Sequence, residues 1–354
     1  MNPLETAVAL CDDVTAASLD RPVLKWMWGP ALLGFALAQL DDHLGQARYL
    51  PWLERYGDHY LNHAPAIHSS DTVAPALVTW SLQLRGLDRF APLTERAVDY
   101  IRTAPRAVDD AVNHLGNSPW NWLYPRSVWV DSLMMFSVFP ALYGRATGDG
   151  ALVEVAARQP GLYAERMFDE GSGLWHHSYW VRMRRPFPNV FWGRGNGWVV
   201  AALPMILDQL DAEHPERVRI IELLARTSHA LLGLQHEDGT WPTVLADKRR
   251  SRPARGGYRE LSATGLVASG WLHSVRAGYI GPDFREPAER ALATVTAAVR
   301  RRAGRLELPE ISGPTIPVPL FPRLGYLWTP TGANHPYGIA AFVLAAINWD
   351  RLGG

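Results

Sequence analysis

One cysteine, Cys11, stands in 354 residues. It excludes an internal disulfide and any zinc site built from several cysteines. An excess of charge of either sign is also missing. Lys plus Arg number 35 and so do Asp plus Glu, so net charge gives no argument for nucleic acid or an acidic membrane as partner. No apolar run is long enough to cross a bilayer. The N-terminus, Met1-Asn2-Pro3-Leu4-Glu5, lacks the basic and apolar stretches of a secretion signal. Together these predict a soluble cytoplasmic protein. No Ser/Gly-rich linker, low-complexity tract or composition step divides the chain, and no convincing set of alternating strands is present. The acidic doublets Asp12-Asp13, Asp41-Asp42-His43 and Asp109-Asp110 lack trustworthy ligand spacing and read as exposed helix ends, so no metal is expected.

What the chain has in quantity is helical patterning. Residues 26–40 read as a buried helix with Pro30 in its first turn. Similar helices are expected near 47–62, 72–85, 92–103, 132–146, 151–167, 196–210, 215–233, 262–277, 285–301 and 337–349, separated by Pro- and Gly-rich links. Apolar helices (26–40, 132–146, 196–210, 262–277, 337–349) alternate with more charged ones (47–62, 92–103, 215–233, 285–301). Helices apolar all round suit an inner layer and amphipathic ones an outer layer. The expectation is an all-α fold, one (α/α)6-barrel catalytic domain spanning residues 1–354. An open helical solenoid would show clearer repeats.

Tryptophan is in surplus, with fifteen in the chain, and the long links carry polar groups among aromatics. They include Ser69-Ser70-Asp71-Thr72, Trp129-Val130-Asp131, His176-His177, Trp192-Gly193-Arg194, Gly239-Thr240-Trp241 and Tyr258-Arg259-Glu260. An aromatic wall with a few polar groups suits a sugar ring, which has apolar faces and a hydroxyl rim. Asp131, beside a Trp and two Met residues, is expected in a poorly solvated place that raises its pKa and makes it a proton donor near neutrality. The basic run Lys248-Arg249-Arg250-Ser251-Arg252 with Arg255 reads as a solvated loop.

The motifs, in order, resemble the unsaturated uronyl hydrolases, glycoside hydrolase families 88 and 105. The family's aromatic–x–Asp–x–Leu–x–Met stretch is matched by Trp129 to Met135. Its Gly-Leu-aromatic-x-His is matched by Gly173 to His177, and its Trp-Gly-Arg-x-x-Gly-Trp by Trp192 to Trp198. Its Gly-x-Trp-x-x-Val-Leu is matched by Gly239 to Leu245, and its Tyr-x-Glu-x-Ser-Ala by Tyr258 to Ala263. Five motifs in order over roughly residues 65–280 are specific where one would be weak. The chain departs from the pattern at Ser178-Tyr179-Trp180 and at Trp120-Asn121-Trp122.

The resemblance implies an (α/α)6 barrel that removes a 4,5-unsaturated uronic acid from the non-reducing end of lyase-generated oligosaccharides, by acid-catalysed hydration of an enol ether. It implies Asp131 as general acid/base and Asp71 as the second essential aspartate. His177, Arg194, Trp198, Trp241, Tyr258 and Glu260 follow as substrate-binding residues. The implied partner is a small acidic oligosaccharide, acted on without metal or cofactor by a monomer or weak homodimer. Each residue also has a plainer reading. Asp131 and Asp71 are placed to cap helices. His177 can be a satisfied core histidine, Arg194 can stack on an indole, Trp198 and Trp241 can be core, and Glu260 can bond a helix N-terminus. The rival functions are a non-catalytic sugar-binding member of the same barrel and another α/α-barrel enzyme. The zinc cyclases among the latter lack their Cys ligands here, and no Asp-rich diphosphate motif stands out.

Overall fold

The computed structural model describes residues 2–18, 25–119, 124–247, 250–253, 257–318 and 321–353. Trp120 to Trp122, and Lys248, Arg249 and Arg255 of the basic run, lie outside the described residues. The helices in chain order are α1 (Pro3–Ser18), α2 (Trp28–Leu44), α3 (Leu50–Asn62), the single turn α4 (Ser70–Val73), α5 (Ala76–Gln83), α6 (Ala91–Thr103) and α7 (Val138–Thr147). Then follow α8 (Gly150–Met167), α9 (Gly193–Leu207), α10 (Pro215–Leu232), α11 (Leu261–Arg276), α12 (Arg285–Ala298), the short α13 (Pro322–Leu327) and α14 (Pro336–Asp350).

The apolar and amphipathic helices separate as their patterns require. Every residue of α9 is buried, and α14 is buried from Tyr337 to Asn348, so neither has a polar face to offer solvent. By contrast α6 buries one stripe, Leu93, Thr94, Ala97, Val98, Tyr100 and Ile101. The inner helices close a ring in which α2 packs on α5, α5 on α7, α7 on α9, α9 on α11, α11 on α14 and α14 on α2. The outer layer is α1, α3, α6, α8, α10 and α12. At α2 the chain is turned by Gly45, whose φ of 62° lets its N–H reach the carbonyls of Asp41 and Asp42.

Two features depart from the sequence-based expectation. The first is α1, which packs on α12 and α14 and completes the sixth pair. Its buried stripe is only Thr6, Ala7, Leu10 and Cys11, too thin to stand out as a periodic signal. The second is a set of small antiparallel pairings in the links. Residues 127–129 pair with 178–180, which pair in turn with 185–187. Residues 190–192 pair with 244–247, and 311–312 with 331–332. Strands of two to four residues show no legible alternation.

The acidic doublets are mostly engaged with arginine. Asp12 meets Arg48, Asp42 meets Arg85, Asp109 meets Arg166 and Asp110 meets Arg158. Among the described residues no group of three or more His, Cys, Asp or Glu could hold a metal ion, and no helix is long and apolar enough to cross a membrane.

The inner ring leaves little room where backbones approach. A Cβ placed on Gly270 of α11 would collide with the carbonyl of Val200 of α9, whereas one on Gly150 meets nothing within 4 Å. Gly270→Ala should therefore destabilise the protein by about 1–3 kcal/mol through overpacking, while Gly150→Ala should not. Thermal or urea unfolding of the two variants checks this, and equal midpoints would show that the α9–α11 contact yields freely.

Candidate functional site

The long links gather at the N-terminal ends of the inner helices, and a backbone ladder sets their order. The N–H of Ser70 donates to the carbonyl of His114, and the N–H of His114 to that of Ser127. Residue Ser127 faces Trp180 across the small sheet, and Trp129 faces Ser178. Beyond the strand, the N–H of Val130 donates to the carbonyl of His177. Four segments far apart in sequence are thus held side by side, and they carry Asp71, His114, Asp131 and His177.

Neither aspartate is occupied with capping. At α4 the cap is Ser69, bonded reciprocally with Thr72, which leaves the Asp71 carboxyl free. The turn after Asp131 is a π-helical stretch, Leu133–Ser137, with no side-chain cap. Only the backbone carbonyl of Asp131 is used there, by the N–H groups of Met134 and Met135. A widened turn of this kind is common where a helix carries a functional group.

The two carboxyls titrate in opposite directions. Burial, and then the negative charge of Asp131, push Asp71 up to about 7. Burial also acts to raise Asp131, but the nearby His177, His114 and Arg194 outweigh it and hold this carboxyl below its usual range. The expectation of a raised pKa at Asp131 is therefore reversed. The medium is as poorly solvated as foreseen, but two imidazoles and a guanidinium lie near enough within it to act on the carboxyl. The Nε2 of His177 lies 3.1 Å from Asp131 Oδ2, an electrostatic contact without hydrogen-bond alignment. Its Nδ1 meets the buried Tyr326 hydroxyl at 2.7 Å.

His114, which sequence reading passed over, completes the set. Its Nε2 lies 3.5 Å from Asp71 Oδ1, and its Nδ1 bonds Ser132 Oγ, which donates to Ser70 Oγ. Burial lowers its pKa to about 4, so near neutrality it is the uncharged imidazole. Trp129 keeps both histidines in place, stacked on His114 at 4.3 Å between centroids and edge-on to His177 at 5.3 Å. Neither His114 nor Tyr326 lies in a motif with a spacing signal. Only the fold brings them to the carboxyls.

The remaining sequence candidates make their hydrogen bonds and packing contacts with groups other than the two carboxyls. Trp241 is fully buried, donates its indole N–H to Leu231 O at 2.8 Å and packs edge-on against Trp271, so it is core between α10 and α11. Trp198 is 1% exposed and edge-on to Trp28, which leaves no face for a sugar. Glu260 is fully buried and caps α11 through the N–H groups of Ser262 and Ala263, while also accepting from the N–H of Ser312. Of its two readings, the helix N-terminus wins.

Tyr258 donates to Ser312 Oγ at 2.8 Å. Arg194, 1% exposed, lies between the rings of Trp192 and Tyr337, 4.7 and 4.9 Å from their centroids. Its fork donates to the carbonyls of Ser312 and Gly313, each at 2.9 Å, and to Thr315 Oγ1. Three of its five N–H donors are thus spent on the loop and Nε has no hydrogen-bond partner, so Arg194 positions the 312–315 segment. The Asn196 amide in the same motif ties α9 to the backbone of Trp175 and Trp192.

Comparison with known proteins gives the same direction. The model of the family described as Glycosyl Hydrolase Family 88 matches residues 6–352. An unsaturated 3S-rhamnoglycuronyl hydrolase of Alteromonas sp. (strain LOR) is 29% identical over 66% of this chain and 57% of its own length, so the matched region spans little more than half of that relative. The unsaturated rhamnogalacturonyl hydrolase YesR of Bacillus subtilis is 23% identical over 77% of this chain and 76% of its own. A glycoside hydrolase of family 105 from C. acetobutylicum superposes with a TM-score of 0.86 at 22% identity, covering 98% of this chain and 99% of that one, which shows the shared barrel.

Two measurements test these assignments. Arg194→Lys, which replaces a planar fork with a point charge, should lower unfolding stability by about 1–3 kcal/mol. A wild-type melting curve would refute the positioning role. Asp71 is raised, so the stability it contributes is fully present below its unfolded pKa and is lost as pH climbs from about 4 through about 7. Asp71→Asn should remove that loss, so its melting temperature relative to wild type should be higher at pH 8 than at pH 4. A difference independent of pH would contradict the shift.

Proposed function

The chain belongs to Glycosyl Hydrolase Family 88, and on that premise we propose that it removes a 4,5-unsaturated uronic acid from the non-reducing end of oligosaccharides left by polysaccharide lyases. The observation that carries the reading is the buried carboxyl pair Asp71 and Asp131, with one pKa raised to about 7 and the other lowered. Such a pair retains a single proton near neutrality. Hydration of an enol ether needs a carboxyl that is protonated there and that, once its proton is delivered, serves as the carboxylate taking one from water. The relatives named as unsaturated rhamnoglycuronyl and rhamnogalacturonyl hydrolases support the substrate class.

In this mechanism the shared proton rests on Asp71 while the site is empty. An incoming uronate brings negative charge beside Asp131 and raises its pKa, so the proton passes to Asp131, which delivers it to C4 of the ring alkene. The cation that forms is shared by C5 and the ring oxygen. Water adds at C5, and Asp131, now a carboxylate, takes its proton. The hemiketal opens to a C5 ketone, and the hemiacetal left at C1 releases the next sugar as an alcohol. One water is consumed and the acid is regenerated. The residues Asp71, His114 and His177 set where the proton waits, and Trp129 fixes the two imidazoles. Chemistry of this kind calls for no metal or organic cofactor.

The test is incubation with lyase-generated disaccharides from pectin, hyaluronan, chondroitin and ulvan, following loss of the alkene absorbance. Asp131→Asn should leave the melting temperature near wild type and cost about 10²–10⁴-fold in kcat. A folded Asp131→Asn protein with near-normal turnover would assign the proton transfer elsewhere. Wild-type rates should fall as pH rises past about 7, because the pair then loses its proton.

A further inference from the structure

The far end of the barrel also holds a cavity. It has a volume of about 190 Å³ and lies between the C-terminal halves of α2, α9, α11 and α14, whereas the carboxyl pair lies at inner-helix N-termini. Its floor is apolar. Phe35, Met205, Leu344 and Ile347 line it, and all are buried. Its mouth is charged, with Asp208, Arg276 and Arg351 lining it as exposed residues.

The charges at that mouth do not balance. Both oxygens of Asp208 are engaged, one with His273 Nε2 at 2.7 Å and the other by the Tyr279 hydroxyl at 2.8 Å. The nearby acids are engaged too, Asp42 by Arg85 and Asp350 by His43. Among the described residues the side chains of Arg276 and Arg351 have no hydrogen bond or ion pair. Yet the two are close enough that the charge of Arg276, after burial, depresses the pKa of Arg351. The side-chain amides of Gln39 and Gln209, half-buried on the cavity wall, are likewise unbonded. A cation is favoured near a helix C-terminus, which accounts for an arginine at the end of α11 and one just past α14. It does not account for both lining one cavity with an apolar floor, where like charges repel.

We propose that this cavity binds a small organic acid, with its carboxylate between Arg276 and Arg351 and its apolar body against Phe35, Leu344 and Ile347. A planar guanidinium fork matches a carboxylate. An apolar cavity of about 150 Å³ accepts a benzene ring, so this one has room for a six-carbon skeleton. Inorganic phosphate has the charge but offers nothing to the floor. Because α2, α9, α11 and α14 all line the cavity, an occupant joins inner helices and stabilises the folded barrel by mass action. The assignment is independent of the reaction at the other end.

The probe is benzoate, with neutral benzamide and inorganic phosphate beside it, titrated calorimetrically into wild type, Arg276→Gln and Arg351→Gln. Benzoate should bind at one site per chain and raise the melting temperature of wild type. Each variant should weaken benzoate about tenfold, the loss of one charge-assisted contact. Benzamide and phosphate should each bind wild type about tenfold less tightly than benzoate, or weaker still. Without any probe, both variants should melt no lower than wild type, because these guanidinium groups bond nothing in the ligand-free protein. A lower melting temperature would make them helix-end charges and overturn the proposal. So would a failure of benzoate to bind, or benzamide or phosphate bound as tightly as benzoate. A sedimentation coefficient that falls in both variants would overturn it as well, by making the arginines a contact between two copies of the chain.

Discussion

The site depends on a short run of backbone hydrogen bonds. Ser70 to His114, His114 to Ser127, the pairing of 127–129 with 178–180, and Val130 to His177 join links from three different helix pairs. Each bond alone contributes little net stability. Their effect is geometric, because successive donors and acceptors set the spacing between side chains on neighbouring segments. The carboxyls of Asp71 and Asp131 are thereby brought close enough for the charge of one to lift the pKa of the other.

Burial alone would raise both carboxyls and leave them equivalent. The asymmetry comes from what stands beside each. Asp131 is acted on by His177, His114 and Arg194, while Asp71 has the Asp131 charge as its largest neighbouring influence. Trp129 is central to this, since it excludes water from both imidazoles and fixes their planes. The same exclusion keeps His114 neutral near pH 7.

Arg194 and Glu260 show how a barrel of parallel inner helices supports a site from behind. Both sit at inner-helix N-termini, and both spend their polar atoms on Ser312 or its neighbours. The strap of chain that carries Tyr326 to His177 is therefore anchored by buried charged groups. A buried guanidinium between two rings with three acceptors is well satisfied at its fork, and a carboxylate that caps a helix is likewise engaged on both oxygens.

Much of the architecture was legible in the chain. The alternation of apolar and amphipathic helices follows from periodicity, because burial on all sides and burial on one side demand different patterns. Asp131 and His177 lie in ordered motifs and Asp71 was suggested by the resemblance those motifs carry, each on a link that opens an inner helix. The thin stripe of α1 and the strands of two to four residues were not, since neither is long enough to carry a period.

Side-chain roles beyond those three residues were decided by tertiary structure. Trp198 and Trp241 look in sequence like sugar platforms, yet the ring of helices closes over both. His114 and Tyr326 carry no motif, yet the ladder and the strap deliver them to the carboxyls. Even the direction of the Asp131 shift was beyond sequence. Composition specifies which groups are buried, but a pKa depends on distances between charges, and those exist only once segments distant in sequence have been packed together.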